Sequence, residues 1–171
     1  MIRDYTDEFF DDLTKAINDG LRAAALEGET SAMLSMKPAP GEEGQKISTR
    51  PSSPPGSPPF ARRGGAGLRG SISHQRTGYL AWGFGTNIRY GRHLEYGATL
   101  PGGQPFWKDK DGNLRFASRS SPHASRMAKT KPSRLAPRPW LRPVLVRDRL
   151  RLEDAFVDAS RLRLARGVTR G

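Results

Sequence analysis

Apolar residues recur every three or four positions near both ends of the chain, which is the periodicity of a helix with one buried face. The N-terminal pattern begins at about Thr6 and predicts a helix within residues 1–28, with Gly28 as its stop. The apolar stripe of this helix consists of Phe9, Leu13, Ile17, Leu21 and Ala24. The C-terminal pattern predicts a second amphipathic helix over residues 140–164, with Pro143 in its first turn. The predicted apolar face of this second helix consists of Leu141, Leu145, Leu152, Phe156 and Ala159.

The prolines divide the rest of the chain. All 14 fall into two tracts, seven between Pro38 and Pro59 and seven between Pro101 and Pro143. Because proline lacks a backbone N–H donor and has a fixed φ, we expect neither tract to form a helix or a central strand. The sequence therefore predicts one domain, 1–171, in which residues 37–64 form a proline- and glycine-rich arm and residues 119–139 form a basic, proline-containing loop.

Residues 65–118 are rich in glycine and aromatic residues and are predicted to contain the strands. We expect strands near 79–84 and 113–118, with a short helix or turn from Tyr90 to Tyr96 between them. The dipeptide Asp111-Gly112 between Trp107 and Phe116 indicates a hairpin turn.

The charge is distributed unevenly. Residues 1–45 carry four Lys or Arg and ten Asp or Glu, a net charge of −6, whereas residues 46–171 carry 25 basic and seven acidic residues, a net charge of +18. A basic body of this kind favours a polyanionic partner, either nucleic acid or an acidic protein surface. The simpler interpretation is that these side chains are exposed to water on the surface and on the arms and have no specific partner.

Few residues are candidates for catalysis or cofactor binding. The chain has no cysteine, which excludes disulfides, thiolate metal sites and cysteine nucleophiles. His93-Leu94-Glu95 matches the H-x-E of zinc deaminases, but that chemistry also requires cysteine ligands. Asp109 and Asp111 suggest calcium, yet the glutamate that closes an EF-hand loop is missing, so the hairpin turn is the better interpretation. We expect no enzymatic activity, no metal and no cofactor.

Gly65, Gly67 and Gly70 have the G-x-G-x-x-G spacing of dinucleotide-binding turns. Such a turn follows a buried strand, whereas the segment before these glycines is proline-rich. We interpret the glycines instead as a hinge where the arm enters the folded domain, with Leu68 and Ile72 as two apolar contacts on one face of a short helical turn.

Two further expectations concern location. No run of about 18 apolar residues occurs, so we expect no membrane span. The N-terminus is acidic and amphipathic and lacks the features of a secretory signal, so we expect synthesis in the cytoplasm.

Four motifs in a fixed order carry a resemblance to a known family. They are Pro55-Gly56-Ser57-Pro58-Pro59, Leu68-Arg69-Gly70-Ser71-Ile72, the Y-x-x-x-x-E-x-G segment from Tyr90 to Gly97, and Arg138-Pro139-Trp140-Leu141-Arg142-Pro143. Together they resemble the tail-completion and head-to-tail joining proteins of tailed bacteriophages, over about Pro54 to Phe156. The chain departs from the family in having Gly65-Ala66 where Thr-Gly is common, and in having Trp140 where Phe is usual.

The resemblance implies an α+β protomer in which a small antiparallel sheet packs against N- and C-terminal amphipathic helices, with long proline-rich arms. It implies a homo-oligomeric ring, usually a hexamer, in the neck or tail of the virion. The implied partners are the phage connector or stopper and the tail-tube or terminator proteins, with genomic DNA passing through. A basic nucleic-acid-binding protein remains the alternative.

Proline-rich arms suit such a ring, since an extended, conformationally restricted segment loses little conformational entropy when it binds along a neighbouring subunit. Trp140 and its flanking arginines are residue types enriched at binding hot spots, but Trp140 can equally bury against the sheet and seat the last helix, which we favour. The candidate interface residues are Pro55, Pro58, Pro59, Leu68, Ile72, Glu95, Arg138, Trp140, Leu141 and Arg142.

Overall fold

A computed structural model of the chain describes residues 6–40, 52–61, 67–108, 114–116 and 127–168. Its first element is helix α1, Thr6–Ser35. The predicted stop at Gly28 is wrong, since the helix continues beyond this glycine. Gly28 is buried, and a β-carbon on it would lie 2.3 Å from Cε1 of Phe84. The glycine therefore serves close packing against a neighbouring aromatic ring and does not end the helix.

The stripe predicted for α1 is shifted toward smaller residues. Phe9 is exposed, and Leu13, Ile17, Leu21 and Ala24 are only half-buried. The fully buried residues of α1 are Ala16, Gly20, Ala25, Gly28, Ser31 and Ala32. Because these side chains are small, neighbouring elements approach the α1 backbone closely.

A hairpin packs on α1. Strand β1, Ile72–Gly78, pairs antiparallel with strand β2, Ala81–Thr86, around a turn at Tyr79 and Leu80. The strand predicted near 79–84 is thus present but begins at Ala81, and Tyr79 lies in the turn. Leu80 has a φ of +47°, the one non-glycine residue with positive φ among the described residues.

The remaining strands form two further antiparallel sheets. Helix α2, Arg89–Tyr96, follows the hairpin and confirms the short helix predicted there. Beyond it, β3, Ala98–Leu100, pairs with β7, Ser133–Leu135, while β4, Pro105–Lys108, pairs with both β5, Leu114–Phe116, and β6, Ala128–Lys129. The pairing of β4 with β5 confirms the hairpin strands predicted around Asp111-Gly112, although the turn itself and both candidate calcium aspartates lie outside the described residues.

The protein is α+β, with helices at both ends and small antiparallel sheets between them. Among the described residues the strands form three separate sheets where one was expected. The expectation for proline also needs correction, because Pro105 opens β4, the central strand of its sheet. As the first residue of the strand, Pro105 interrupts the ladder least.

The C-terminal region contains two helices where one was predicted. Helix α3, Arg142–Arg147, is separated by Asp148 from helix α4, Arg149–Val168, and Pro143 lies in the first turn of α3 as expected. Val144 is fully buried, while Leu145, predicted to face the core, is exposed. Leu152, Phe156 and Ala159 remain half-buried, as a face on α4 requires.

Helices α1 and α4 form an antiparallel pair. Ser160 Oγ donates a hydrogen bond to the Ala16 carbonyl at 3.1 Å, and a β-carbon on Gly20 would lie 2.7 Å from Cδ2 of Phe156. Toward the other end, Arg151 and Glu27 form an ion pair of 2.6 Å. The core lies beside this pair, where α1, the hairpin and the start of α3 converge. Its buried members are Ala32, Met36, Ala61, Leu68, Ile72, Trp140 and Val144.

Candidate assembly interface

The carboxylate of Glu95 joins two of the motifs identified in the sequence. Glu95 Oε2 accepts hydrogen bonds from the backbone N–H groups of Trp140 at 2.7 Å and Leu141 at 3.0 Å, and Oε1 accepts from Arg142 at 2.9 Å. The residue is only 8% exposed. A buried carboxylate is costly unless its oxygens find donors, and three backbone donors supply this compensation. Glu95 therefore fixes the segment that leads into α3 against α2.

Gly97, which ends the Y-x-x-x-x-E-x-G motif, completes this arrangement. Its φ is +74°, and a β-carbon there would lie 2.8 Å from the carbonyl oxygen of Leu135. Because most side chains disfavour this conformation and the space is occupied, the position requires glycine. The motif thus supplies the helix, the acceptor for three N–H groups, and the glycine with positive φ that ends the helix beside β7.

Trp140 is buried and belongs to the core, which agrees with the interpretation favoured from the sequence. It is 3% exposed, and its indole Nε1–H donates to the carbonyl of Gly91 at 3.2 Å. Its polar contacts are with α2, whereas the sequence interpretation placed it against the sheet. Within this chain Trp140 packs in the core just before α3, and its side chain is not exposed for contact with a partner.

Arg138 ties the proline-rich arm to the same junction. Its Nε donates to the Ser53 carbonyl at 2.8 Å, and its backbone N–H donates to the Leu94 carbonyl at 2.6 Å. The N–H of Gly56 donates to the Pro137 carbonyl at 2.9 Å. Residues 52–61 of the arm consequently lie on their own chain, whereas the sequence suggested an arm that drapes over a neighbour.

The arm prolines differ in exposure. Pro59 is buried, Pro58 is half-buried, and Pro55 is exposed. At the end of this segment Ala61 enters the core, where its N–H donates to the Lys37 carbonyl at 2.8 Å. Of the three proline candidates, Pro55 is thus the one most available to a partner.

Leu68 and Ile72 are both buried in the core and flank a 3-10 turn, Arg69–Ser71. This confirms the two apolar contacts expected on a short helical turn. Gly67, just before them, has a φ of +125°, while Gly65 and Ala66 lie outside the described residues. The hinge itself therefore stays a prediction.

The remaining candidates, Leu141 and Arg142, lie at the surface of this junction. Leu141 is half-buried and packs against the core, and Arg142 is exposed. Their backbone N–H groups are held by Glu95, so the starting direction of α3 is fixed while the Arg142 side chain faces outward. The structure brings together Glu95, Arg138, Trp140, Leu141 and Arg142, and joins the arm to them through Arg138.

Arginines near the break between α3 and α4 are paired with carboxylates. Arg147 donates from Nε and Nη2 to the Asp148 carboxylate at 2.8 and 2.6 Å, and Arg149 Nε donates to Glu153 at 2.7 Å. The hydrogen bonds from Arg147 lower the pKa of Asp148, against the opposing effect of burial and with support from a hydrogen bond with Ser31. A large part of the positive charge in this region is therefore locally compensated.

Sequence reasoning missed a polar cluster on the hairpin. His74 Nδ1 and Glu29 Oε2 lie 2.5 Å apart, and the Trp82 indole N–H donates to Asn18 Oδ1 at 3.0 Å. These contacts join β1 and β2 to the polar side of α1. Trp82 alternates with small residues along β2, which was the available signal. The partners of His74 and Trp82 are at least 45 residues away in sequence.

No group of three or more His, Cys, Asp or Glu side chains within the described ranges is arranged to hold a metal ion. His93 is exposed, and Glu95, its neighbour in the deaminase-like pattern, is occupied by backbone donors. None of the helices described here is sufficiently long and apolar to cross a membrane.

No protein-family model, curated protein or solved structure matches this chain. Its functional assignment consequently depends on its own residues and contacts. The feature that stands out is the junction at Glu95, because it unites motifs that are 45 residues apart in sequence.

Proposed function

We propose that this protein is a structural component of a tailed-bacteriophage virion, acting at the head–tail junction, where it completes the tail or forms a ring of the neck. The observation that carries the proposal is the set of three hydrogen bonds from residues 140–142 to Glu95. These bonds join the Y-x-x-x-x-E-x-G and R-P-W-L-R-P motifs, two of the four that carry the family resemblance, into one physical unit. Motifs that depend on each other structurally are better support for a shared fold than motifs that only occur in order.

The same unit suits a protein whose function is to present a surface. The Glu95 carboxylate and the buried Trp140 fix the start of α3, and Arg142 is displayed from that fixed segment. A surface that is rigid before binding loses little conformational entropy when a partner docks. The junction is therefore suited to recognition and requires no catalytic group.

In this proposal the protein forms a homo-oligomeric, hexameric ring in the neck or tail after synthesis in the host cytoplasm. It contacts the connector or stopper on one side and the tail-tube or terminator protein on the other, with DNA passing through the ring. Pro55 and Arg142 are the candidate interface residues most exposed for such contacts.

The test is binding to the connector and tail-tube proteins encoded in the same genome, measured by size-exclusion chromatography with light scattering. We expect co-elution with at least one of them, and we expect Arg142→Glu to weaken it. Arg134→Glu, at an exposed arginine on β7, is the matched control and should bind as the unaltered chain does. A chain that binds neither protein would contradict the proposal.

Nucleic-acid binding is the alternative, and the ion pairs near α3 and α4 weigh against it. Arg147, Arg149 and Arg151 each contact a carboxylate, which competes with phosphate for the same guanidinium groups. If nucleic acid were the partner, affinity for duplex or single-stranded DNA would fall steeply with salt, at a slope reporting several phosphate contacts. Absence of binding at low salt would exclude this alternative.

A further inference from the structure

Two exposed apolar patches lie at opposite ends of the α1/α4 pair. The aromatic patch is formed by Phe9 and Phe10 at the start of α1, which are 60% and 57% exposed, with their rings in edge-to-face contact at 5.8 Å. The aliphatic patch is formed by Val146 and Leu150, which are 75% and 72% exposed, with Leu145 beside them. Val146 and Leu150 are the most exposed large aliphatic residues of the described chain.

The charges around these patches are opposite. The aromatic patch lies among Asp7, Glu8, Asp11 and Asp12, with Lys15 paired to the last two, so residues 6–15 carry a net charge of −3. The aliphatic patch lies among Arg142, Arg147, Arg149 and Arg151. The last three contact the carboxylates of Asp148, Glu153 and Glu27, so a net charge of +1 remains. Each patch therefore has an apolar centre with a charged surround that the other complements.

The two patches cannot meet within one chain. Asp148, between the two halves of the aliphatic patch, is hydrogen-bonded to Ser31 of α1. Ser31 is 22 residues from Phe9 on the same helix, which corresponds to about 33 Å at 1.5 Å per residue. A contact between the aromatic and the aliphatic patch must consequently join two molecules.

We propose that the aromatic patch of one copy docks on the aliphatic patch of a second copy of this chain. The contact is heterologous, since it uses two different surfaces. A repeated heterologous contact gives a ring if its rotation closes and an open filament if it does not. The inference rests on the proposed function only in the expectation that copies of the chain assemble. It adds the identity of the surfaces and the head-to-tail direction of assembly.

Two variants with one patch removed in each give a decisive test. Phe9→Ser/Phe10→Ser removes the aromatic patch, and Val146→Ser/Leu150→Ser removes the aliphatic patch. All four positions are exposed, and circular dichroism and thermal melting check that the variants fold. Tyr79→Ser/Tyr96→Ser is the matched control, because it removes two aromatic residues that lie outside both patches and are more exposed than Phe9 and Phe10.

Sedimentation velocity should show oligomers for the unaltered chain and for the control, with dissociation as salt is raised. Each patch variant alone should self-associate with a dissociation constant raised at least about tenfold, as expected when large apolar residues are removed from the centre of an interface. It should therefore sediment as a monomer at concentrations where the unaltered chain is oligomeric. An equimolar mixture of the two patch variants should form a dimer and nothing larger, because one intact patch from each copy remains.

Several results would overturn the contact. These are a monomeric unaltered chain, a patch variant that self-associates as strongly as the unaltered chain, or a mixture that stays monomeric. A ring that survives both variants would refute this interface and leave the proposed function intact. A chain that forms the contact but binds no connector or tail protein would refute the proposed function and leave the interface intact.

Discussion

The side chain of Glu95 on α2 holds the backbone of Trp140, with Oε2 accepting the Trp140 N–H at 2.7 Å. Replacing Glu95 with Ala leaves three N–H groups without their acceptor, and we expect the free energy of unfolding to fall by about 3 kcal/mol. Glu95→Gln keeps one acceptor oxygen and should cost less. Urea unfolding measures both values. Glu153→Gln, in an exposed pair with Arg149, is the control and should change stability by less than about 0.5 kcal/mol, so an equal loss at both positions would contradict this account.

Trp140 should tolerate phenylalanine but not alanine. Trp140→Phe retains a large buried ring and loses the indole hydrogen bond to Gly91, so we expect a loss of about 1 kcal/mol. Trp140→Ala leaves a cavity and should cost about 3–5 kcal/mol. Thermal or urea unfolding distinguishes them. A Phe variant as unstable as the Ala variant would contradict the packing described here.

Gly28→Ala should destabilise the protein, although alanine is the better helix former. Helix propensity alone favours alanine by about 1 kcal/mol. The new methyl group would overlap the ring of Phe84, and we expect a net loss of about 1–3 kcal/mol. Gly85→Ala is the control, since no heavy atom lies within 4 Å of its β-carbon position. A double-mutant cycle with Phe84→Leu should recover part of the loss, and strict additivity would show that the two residues do not interact.

Asp148 should make stability depend on pH on the acid side. Its pKa is lowered in the folded protein, chiefly by the hydrogen bonds from Arg147. Its stabilising contribution is therefore complete above the pKa of an unfolded aspartate, about 3.9, and is lost as the pH falls through the lower folded value. Urea unfolding between pH 7 and pH 3 should show a shallower acid decline for Asp148→Asn than for the unaltered chain.

The sequence predicted element types better than element limits. Amphipathic periodicity located α1 and the C-terminal helical region because an apolar face is a local property. Gly28 was misread as a stop because its close neighbour, Phe84, is 56 residues away, and only packing reveals why glycine is needed there. Asp148 interrupts the last helix, and Val144 occupies the core in place of Leu145. No local pattern predicted that shift.

The candidate site was predictable as a set of motifs but not as a unit. Glu95 and Trp140 were both selected from the sequence, yet their hydrogen bond depends on how α2 and the segment before α3 meet. The Arg138 contact with Ser53 is equally remote in sequence. Long-range hydrogen bonds of this kind leave no periodic signal, so the arm was expected on a neighbour while residues 52–61 lie on their own chain.

The antiparallel pairing of α1 with α4 also determines when folding can finish. Gly20 can pack against Phe156 only after Phe156, which follows it by 136 residues, has been synthesised. At about 10 residues per second the ribosome needs roughly 14 s to make the intervening chain. Until then α1 has no partner for its closely packed small residues. A chain interrupted before α4 would lack this partner, so the first helix can complete its packing only in molecules synthesised through the last one.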